Sequence, residues 1–137
     1  MKIPASNGKT ATIGFCWGGM QSFAYAAAQP DLNAAVVYYG RSPSDASAYG
    51  KIKAPVLALY GSDDTNVNPT IEPAKQAMQK ANKTYQPHIY EGAGHGFLRQ
   101  QDGRGGANMK ATQQAWPATI QFLRKHVGGE PGLNVRG

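Results

Sequence analysis

The sequence predicts an α/β fold, a parallel sheet of about four strands with flanking helices. Two stretches, Asn33 to Tyr39 and Pro55 to Tyr60, carry continuous rather than alternating apolar runs, Ala-Ala-Val-Val-Tyr-Tyr and Pro-Val-Leu-Ala-Leu-Tyr. Such runs suit parallel strands covered on both faces. Segments of helical spacing fall between the strand-like ones, and that alternation implies right-handed crossovers in one sheet. Finally, a β-prone run from Thr10 to Phe15 meets a helix-prone run from Gln21 to Ala28 through a turn built around Cys16.

Taken in order, Met1 to Gly8 is polar and holds Pro4 and Asn7-Gly8, a turn signal, so it reads as a lead-in loop. Lys9 to Phe15 is the first strand. Trp17 to Gln29 follows as a helix, with Met20, Phe23, Ala24, Ala27 and Ala28 on one face and Pro30-Asp31 as its stop. Asn33 to Tyr39 is the second strand, and Gly40 to Lys53, rich in Ser, Pro and Asp, reads as a loop. Pro55 to Tyr60 is the third strand and ends in the turn Gly61-Ser62-Asp63-Asp64.

Pro69 to Asn82 is predicted helical, with Ile71, Ala74, Ala77, Met78 and Ala81 as its apolar face, Asn68 as cap and Pro69 at the first helical position. Tyr85 to Tyr90 is the fourth strand, and Gly92-Ala93-Gly94-His95-Gly96 turns out of it. A glycine-rich loop from Gln100 to Ala107 leads to a last helix, about Met109 to His126, expected to bury Ala115, Trp116, Thr119, Ile120, Leu123 and Val127. Pro117 should kink that helix or move its start, because it lacks the N–H that would close one turn. Gly128 to Gly137 reads as a flexible tail.

The chain has 137 residues, enough for one domain with a real core and too few for two. Residues 1–137 are therefore read as a single domain. No apolar run approaches the roughly 20 residues of a membrane helix, and the N-terminus lacks the apolar core of a signal peptide. We read it as cytoplasmic, with no membrane partner. A single cysteine excludes an internal disulfide framework, and three scattered histidines offer no zinc-type spacing, so no metal and no cofactor are expected. The formal charge of +6 and the pI near 9.6 raise nucleic acid as a partner. However, the basic residues are dispersed from Lys2 to Arg136, with no run longer than Arg124-Lys125, and aromatics do not interleave with them. A general positive field that attracts anionic small molecules fits this pattern better.

The turn Gly14-Phe15-Cys16-Trp17-Gly18 is G-x-C-x-G, the nucleophile-elbow pattern with Cys where Ser is more usual. Small residues at both glycine positions would let the chain reverse so sharply that the Cys16 side chain stands exposed at the carboxyl edge of the sheet, in a strained conformation. The alternative is a small buried hydrophobe. Ligands in open parallel sheets bind at the carboxyl ends of the strands. Cys16, Asp64 and His95 each lie just past a strand end, so the fold brings them to one edge.

A thiol attacks a carbonyl only as thiolate, from a free pKa of about 8.5. The positive end of the following helix and a nearby imidazole are the two devices the sequence offers to lower it. His95 can take the thiol proton, and Asp64 can hold the ring in the needed tautomer. Asp63 or Asp64 could instead only cap a turn. His88 and His126 are given no role.

The motifs Gly14-Phe15-Cys16-Trp17-Gly18-Gly19, Ala35-Val36-Val37-Tyr38-Tyr39-Gly40, Gly61-Ser62-Asp63-Asp64-Thr65-Asn66-Val67 and Gly94-His95-Gly96-Phe97, in that order, resemble the dienelactone hydrolase family over roughly residues 8 to 127. The resemblance implies an α/β-hydrolase fold and hydrolysis of a cyclic enol ester to an open carboxylate. By position it makes Cys16 the nucleophile, Asp64 rather than Asp63 the acid and His95 the base. It gives the backbone N–H of Trp17 as one oxyanion donor and Arg99 as a contact for the substrate carboxylate.

Family members carry, ahead of the elbow, about as much chain again, including the first strands, the loop with the second oxyanion N–H, and a glutamate and an arginine at the site. This chain corresponds to the C-terminal half of that fold. The resemblance thus leaves the elbow strand as an exposed edge, and a homodimer pairing edge strands or packing elbow helices is expected to cover it. The small-molecule partner implied is an ester or lactone, anionic in character. The competing expectation is a weak or inactive half-domain, serving as a structural dimer or complementing a separate N-terminal half.

Overall fold

In the computed structural model, residues 9–29, 31–44 and 46–128 are described, and strands alternate with helices throughout them. Strand β1 (Ala11–Phe15) leads into α1 (Trp17–Ala28), and β2 (Ala34–Tyr38) leads into α2 (Ala46–Lys51). Strand β3 (Val56–Gly61) reaches α3 (Ile71–Lys80) through a 3-10 turn at Asn68–Thr70, and β4 (Tyr85–Tyr90) reaches α4 (Ala107–Val127) through another at Arg104–Gly106. The strands lie side by side in chain order, each pair parallel. All four therefore end on one edge, with Phe15 opposite Tyr38, Tyr38 opposite Leu59 and Gly61 opposite Tyr90. The expectations for Met1 to Gly8 and for residues 129–137 lie outside the described residues.

Side chains alternate across the sheet, so each inner strand feeds two cores. Ala35, Val37, Val56, Ala58 and Tyr60 pack with Phe23 of α1, Tyr49 of α2 and Ile71, Ala74 and Met78 of α3. Val36, Tyr38, Leu57 and Leu59 face Ala111, Ala115 and Phe122 of α4. Every residue of β2 and β3 is buried, which is why their sequences read as unbroken apolar runs. Burying each Val or Leu in them is worth roughly 1.5 to 3 kcal/mol.

Strands β1 and β4 are the edges of the sheet among the described residues, and neither is fully covered: Ile13 and Phe15 of β1, in register with Val36 and Tyr38, remain 42% and 41% exposed, and Ile89 of β4 55%. Helix α4 packs on β2 and β3 and leaves the β1 side of that face open. Phe15 stacks on Tyr38 at 4.9 Å between ring centres, so its inner flank alone is covered.

Several elements differ from the sequence reading. The stretch from Gly40 to Lys53 is not all loop, because α2 forms inside it and buries Tyr49, whose hydroxyl donates to the Pro43 carbonyl at 2.6 Å. The buried face of α1 is Gly19, Ser22, Phe23 and Ala26, rotated from the expected one. Close approach to the sheet selects small residues there, and Ser22 turns inward because its hydroxyl donates to the Val36 carbonyl at 3.1 Å and lies 2.7 Å from the Thr12 hydroxyl.

Asn68 does not cap α3; its side-chain amide donates to the carbonyls of Gly61 and Ser62. Helix α4 starts at Ala107 and continues through Pro117, which lies on its exposed side, where water can serve the carbonyl left without a partner. Trp116, expected to be buried, is 46% exposed, while Ala111, Ala115, Thr119 and Phe122 face the sheet.

Candidate active site

At the end of β1 the chain makes its sharpest turn. The Cys16 N–H donates to the Tyr38 carbonyl at 3.0 Å, extending the β1–β2 ladder by one bond, and the Cys16 carbonyl at once accepts from Gly19 and Met20. Doing both forces Cys16 to φ 55°, ψ −122°. For a non-glycine residue this costs about 1 to 3 kcal/mol, which the surrounding contacts must hold. Cys16 takes the N-cap position of α1, its side chain makes no capping bond, and the residue is half-buried. The amide of Trp17 begins α1, so it has no intrahelical acceptor and stays available at the helix's positive end.

The glycines around this turn have unequal duties. A Cβ on Gly14 would sit 1.9 Å from the Gly18 carbonyl oxygen, so only glycine fits. Gly18 itself has nothing within 4 Å of such an atom, contrary to the expectation that both glycines of the pattern are sterically required. The second obligatory glycine is Gly19, where a Cβ would come within 2.7 Å of the Tyr38 carbonyl oxygen.

The acid and histidine come from the other side. Asp64, almost fully buried, closes the turn after β3 with its N–H on the Gly61 carbonyl. One carboxylate oxygen accepts the Val67 N–H at 3.2 Å and the other lies 2.5 Å from Nδ1 of His95. A carboxylate in its ionised form only accepts, so with Asp64 ionised this contact requires the tautomer that carries its proton on Nδ1, with the lone pair on Nε2 of the half-exposed ring. Asp63 points elsewhere and pairs with Arg104 at 3.2 Å.

The loop with His95 is docked on this turn. The Asp63 N–H donates to the Ala93 carbonyl, and a Cβ on Gly61 would meet that same oxygen at 2.2 Å. Asn108 of α4 accepts the Gly94 N–H and donates to the Gln100 carbonyl, holding both ends of the loop.

Between these two corners stands Tyr39, which the sequence reading passed over as core. It is buried at φ 40°, and its ring lies edge-on to His95 at 5.2 Å. Burial pushes its phenol up to about 12; the neighbouring Cys16 adds to that, while Arg99 and a hydrogen bond from the Leu98 N–H oppose it. Thus His95 packs on this ring, and Cys16 and Arg99 act on its phenol electrostatically. The doubled tyrosine at the end of an all-apolar strand was the signal available. Neither His88 nor His126 joins the group: His88 stacks with Tyr90, and His126 meets Phe122 edge-on.

The family model for the dienelactone hydrolase family matches residues 2–127. The chain belongs to that family. A candidate carboxymethylenebutenolidase of Saccharolobus solfataricus is 36% identical over 117 residues, covering 85% of this chain and 44% of that protein. One from Salmonella typhimurium is 34% identical over 129 residues, covering 87% and 47%. Among solved structures, a candidate dienelactone hydrolase from Klebsiella pneumoniae superposes with TM-score 0.74 at 30% identity, covering 85% of this chain and 52% of that one. A dienelactone hydrolase-like promiscuous phosphotriesterase from metagenomic libraries gives 0.75 at 26% identity, covering 86% and 52%.

This dienelactone hydrolase relative therefore spans about half the length of the curated relatives it matches. Its four parallel strands and flanking helices match the α/β arrangement of the solved ones. Among the described residues no helix is long and apolar enough to cross a membrane, and no three His, Cys, Asp or Glu side chains are grouped to hold a metal ion.

Proposed function

We propose that the chain hydrolyses a carboxylic ester or lactone by covalent catalysis at Cys16. The carrying observation is the Asp64–His95 pair at 2.5 Å, which lies past the ends of β3 and β4 on the same sheet edge where β1 ends in a cysteine held at φ 55°. His95 Nε2 takes the thiol proton as sulfur bonds to the carbonyl carbon. The resulting oxyanion is received by the Trp17 N–H. Collapse expels the alcohol or enol oxygen, which leaves with the proton from His95, and a thioester remains on Cys16. Water, deprotonated by His95, then cleaves that thioester and frees the carboxylic acid and the thiol. Asp64 holds the imidazole in its tautomer and stabilises the imidazolium, and Arg99 meets an anionic group on the substrate. The names of the relatives point to an enol lactone, a good substrate for a thiolate because its leaving group is stabilised.

The test is turnover of p-nitrophenyl acetate by the wild-type chain and by Cys16→Ala. We expect a burst of nitrophenol and steady turnover from the wild type, with turnover at background in the variant. Equal rates in the two proteins would end the hydrolase reading.

The exposed flank of β1 supports a second reading, that two copies associate there. Ile13, Phe15 and the 71% exposed Trp17 lie along an edge that no other strand pairs with among the described residues, and a C2 partner offers the same surface in return. Sedimentation should give a dimer for the wild type and a monomer for Phe15→Lys. A wild-type monomer at high concentration removes this reading.

A further inference from the structure

The geometry points to Tyr39 as the positioning residue that fixes the direction of the His95 imidazole, an inference that rests on the hydrolase reading for its consequence but not for its structural test. The hydrogen bond from Nδ1 to Asp64 is a single anchor. It leaves the ring free to swing about that bond, and the side chain is 47% exposed, so the surroundings do little to stop it. Where Nε2 points depends on that swing. The Tyr39 ring, 5.2 Å away and inclined at 63°, abuts one side of the imidazole in the edge-to-face arrangement that aromatic pairs favour.

The tyrosine is itself immobilised from several directions. Its ring meets Phe97 at 5.2 Å and 74°, and Tyr38 at 5.9 Å and 71°. Its hydroxyl accepts from the Leu98 N–H, and its own N–H donates to the Leu59 carbonyl at 2.8 Å. One side chain just past the end of β2 thus grips His95, Phe97 and Leu98, three positions of the histidine loop, while its backbone is tied to β3. Its φ of 40° shows that this placement is held against the ordinary preference of a bulky residue. Burial in the core alone does not require it, since Tyr38, equally buried, is an ordinary strand residue.

The experiment compares wild type, Tyr39→Phe and Tyr39→Leu by NMR of the His95 ring protons and by kinetics with p-nitrophenyl acetate. In the wild type we expect nuclear Overhauser contacts between the Tyr39 ring and the His95 imidazole. Tyr39→Leu should move the His95 resonances and lower kcat by about 10²-fold with KM unchanged, the scale of a catalytic group misplaced by about 1 Å. Tyr39→Phe keeps the ring and should restore the resonances and most of kcat. Absence of the wild-type contacts, or wild-type resonances and kcat in Tyr39→Leu, overturns the inference, and the wild-type contacts decide it even if the leucine variant does not fold. Failure of the hydrolase reading would show separately, as turnover unaffected by Cys16→Ala, and would leave the NMR result standing.

Discussion

The two corners of the candidate site are built by opposite means. The elbow corner is held by backbone: a cysteine at φ 55°, a glycine whose missing Cβ leaves room for a carbonyl, and a strand with one neighbour among the described residues. The acid–histidine corner is held by side chains: a buried carboxylate bonded on both oxygens, an asparagine bonding two carbonyls of the Asp64 turn, and a second asparagine gripping the histidine loop. Steric exclusion is all-or-none, whereas hydrogen bonds can be removed one at a time. Substitutions at the elbow should therefore act on the fold, and those at the other corner on chemistry first.

The largest effect is expected from Gly14→Ala. Its Cβ would lie 1.9 Å from backbone oxygen that cannot swing aside, so the elbow must open. We expect a loss of at least about 4 kcal/mol, the tail of single-substitution effects, seen as a collapse of the thermal transition by circular dichroism. Gly18→Ala, two residues beyond the cysteine in the same pattern, should stay within about 0.5 kcal/mol of wild type, as open surface positions do. If the two variants melt alike, the unequal roles of these glycines are wrong.

Next in size is Asp64→Asn. The amide retains the volume and can still accept the Val67 N–H, so the fold should survive. What changes is the partner of Nδ1. An amide that donates to Nδ1 would put the proton on Nε2, the wrong tautomer for a base, and in a comparable triad this substitution lowers kcat about 10⁴-fold. We expect a drop of that order in ester turnover with a nearly unchanged melting temperature. A variant that loses stability and activity in parallel would show that this corner is structural in the same sense as the elbow.

The same contrast explains what could be read in the sequence. Continuous apolar runs marked β2 and β3 because both faces of those strands are covered, and G-x-C-x-G placed the turn at Cys16 because backbone reversal leaves a glycine signature. Asp64 was separable from Asp63 only through the family resemblance, since either fits a turn. Other features depend on contacts that no local pattern records. Gly19 is obligatory because of a carbonyl on β2, a strand remote in sequence, and Ser22 faces inward to reach Val36. Trp116 reads as core by hydrophobicity, yet the close approach of α4 to the sheet admits the alanines beside it instead. Tyr39 looked like one more apolar strand residue, and only the meeting of two distant loops gives it a neighbour to hold.

The smallest expected effect concerns that tyrosine, which lies between the corners. Its phenol is raised from 10.0 to about 12, chiefly by burial, so the folded chain keeps a proton that the unfolded chain releases. Stability from this source is fully present below pH 10 and is lost as pH rises from 10 through 12. Tyr38 and Tyr49, also raised to about 12 by burial, contribute in the same window, so the wild type should lose stability steeply there. Tyr39→Phe removes one of these groups and should lose less between pH 9.5 and 11.5 in urea titrations. The difference should be on the order of 1 kcal/mol, since a tenfold change in proton affinity is worth about 1.4 kcal/mol. An equal loss in both proteins would mean that the phenol reaches water freely, which a buried ring packed against Tyr38, His95 and Phe97 should not do.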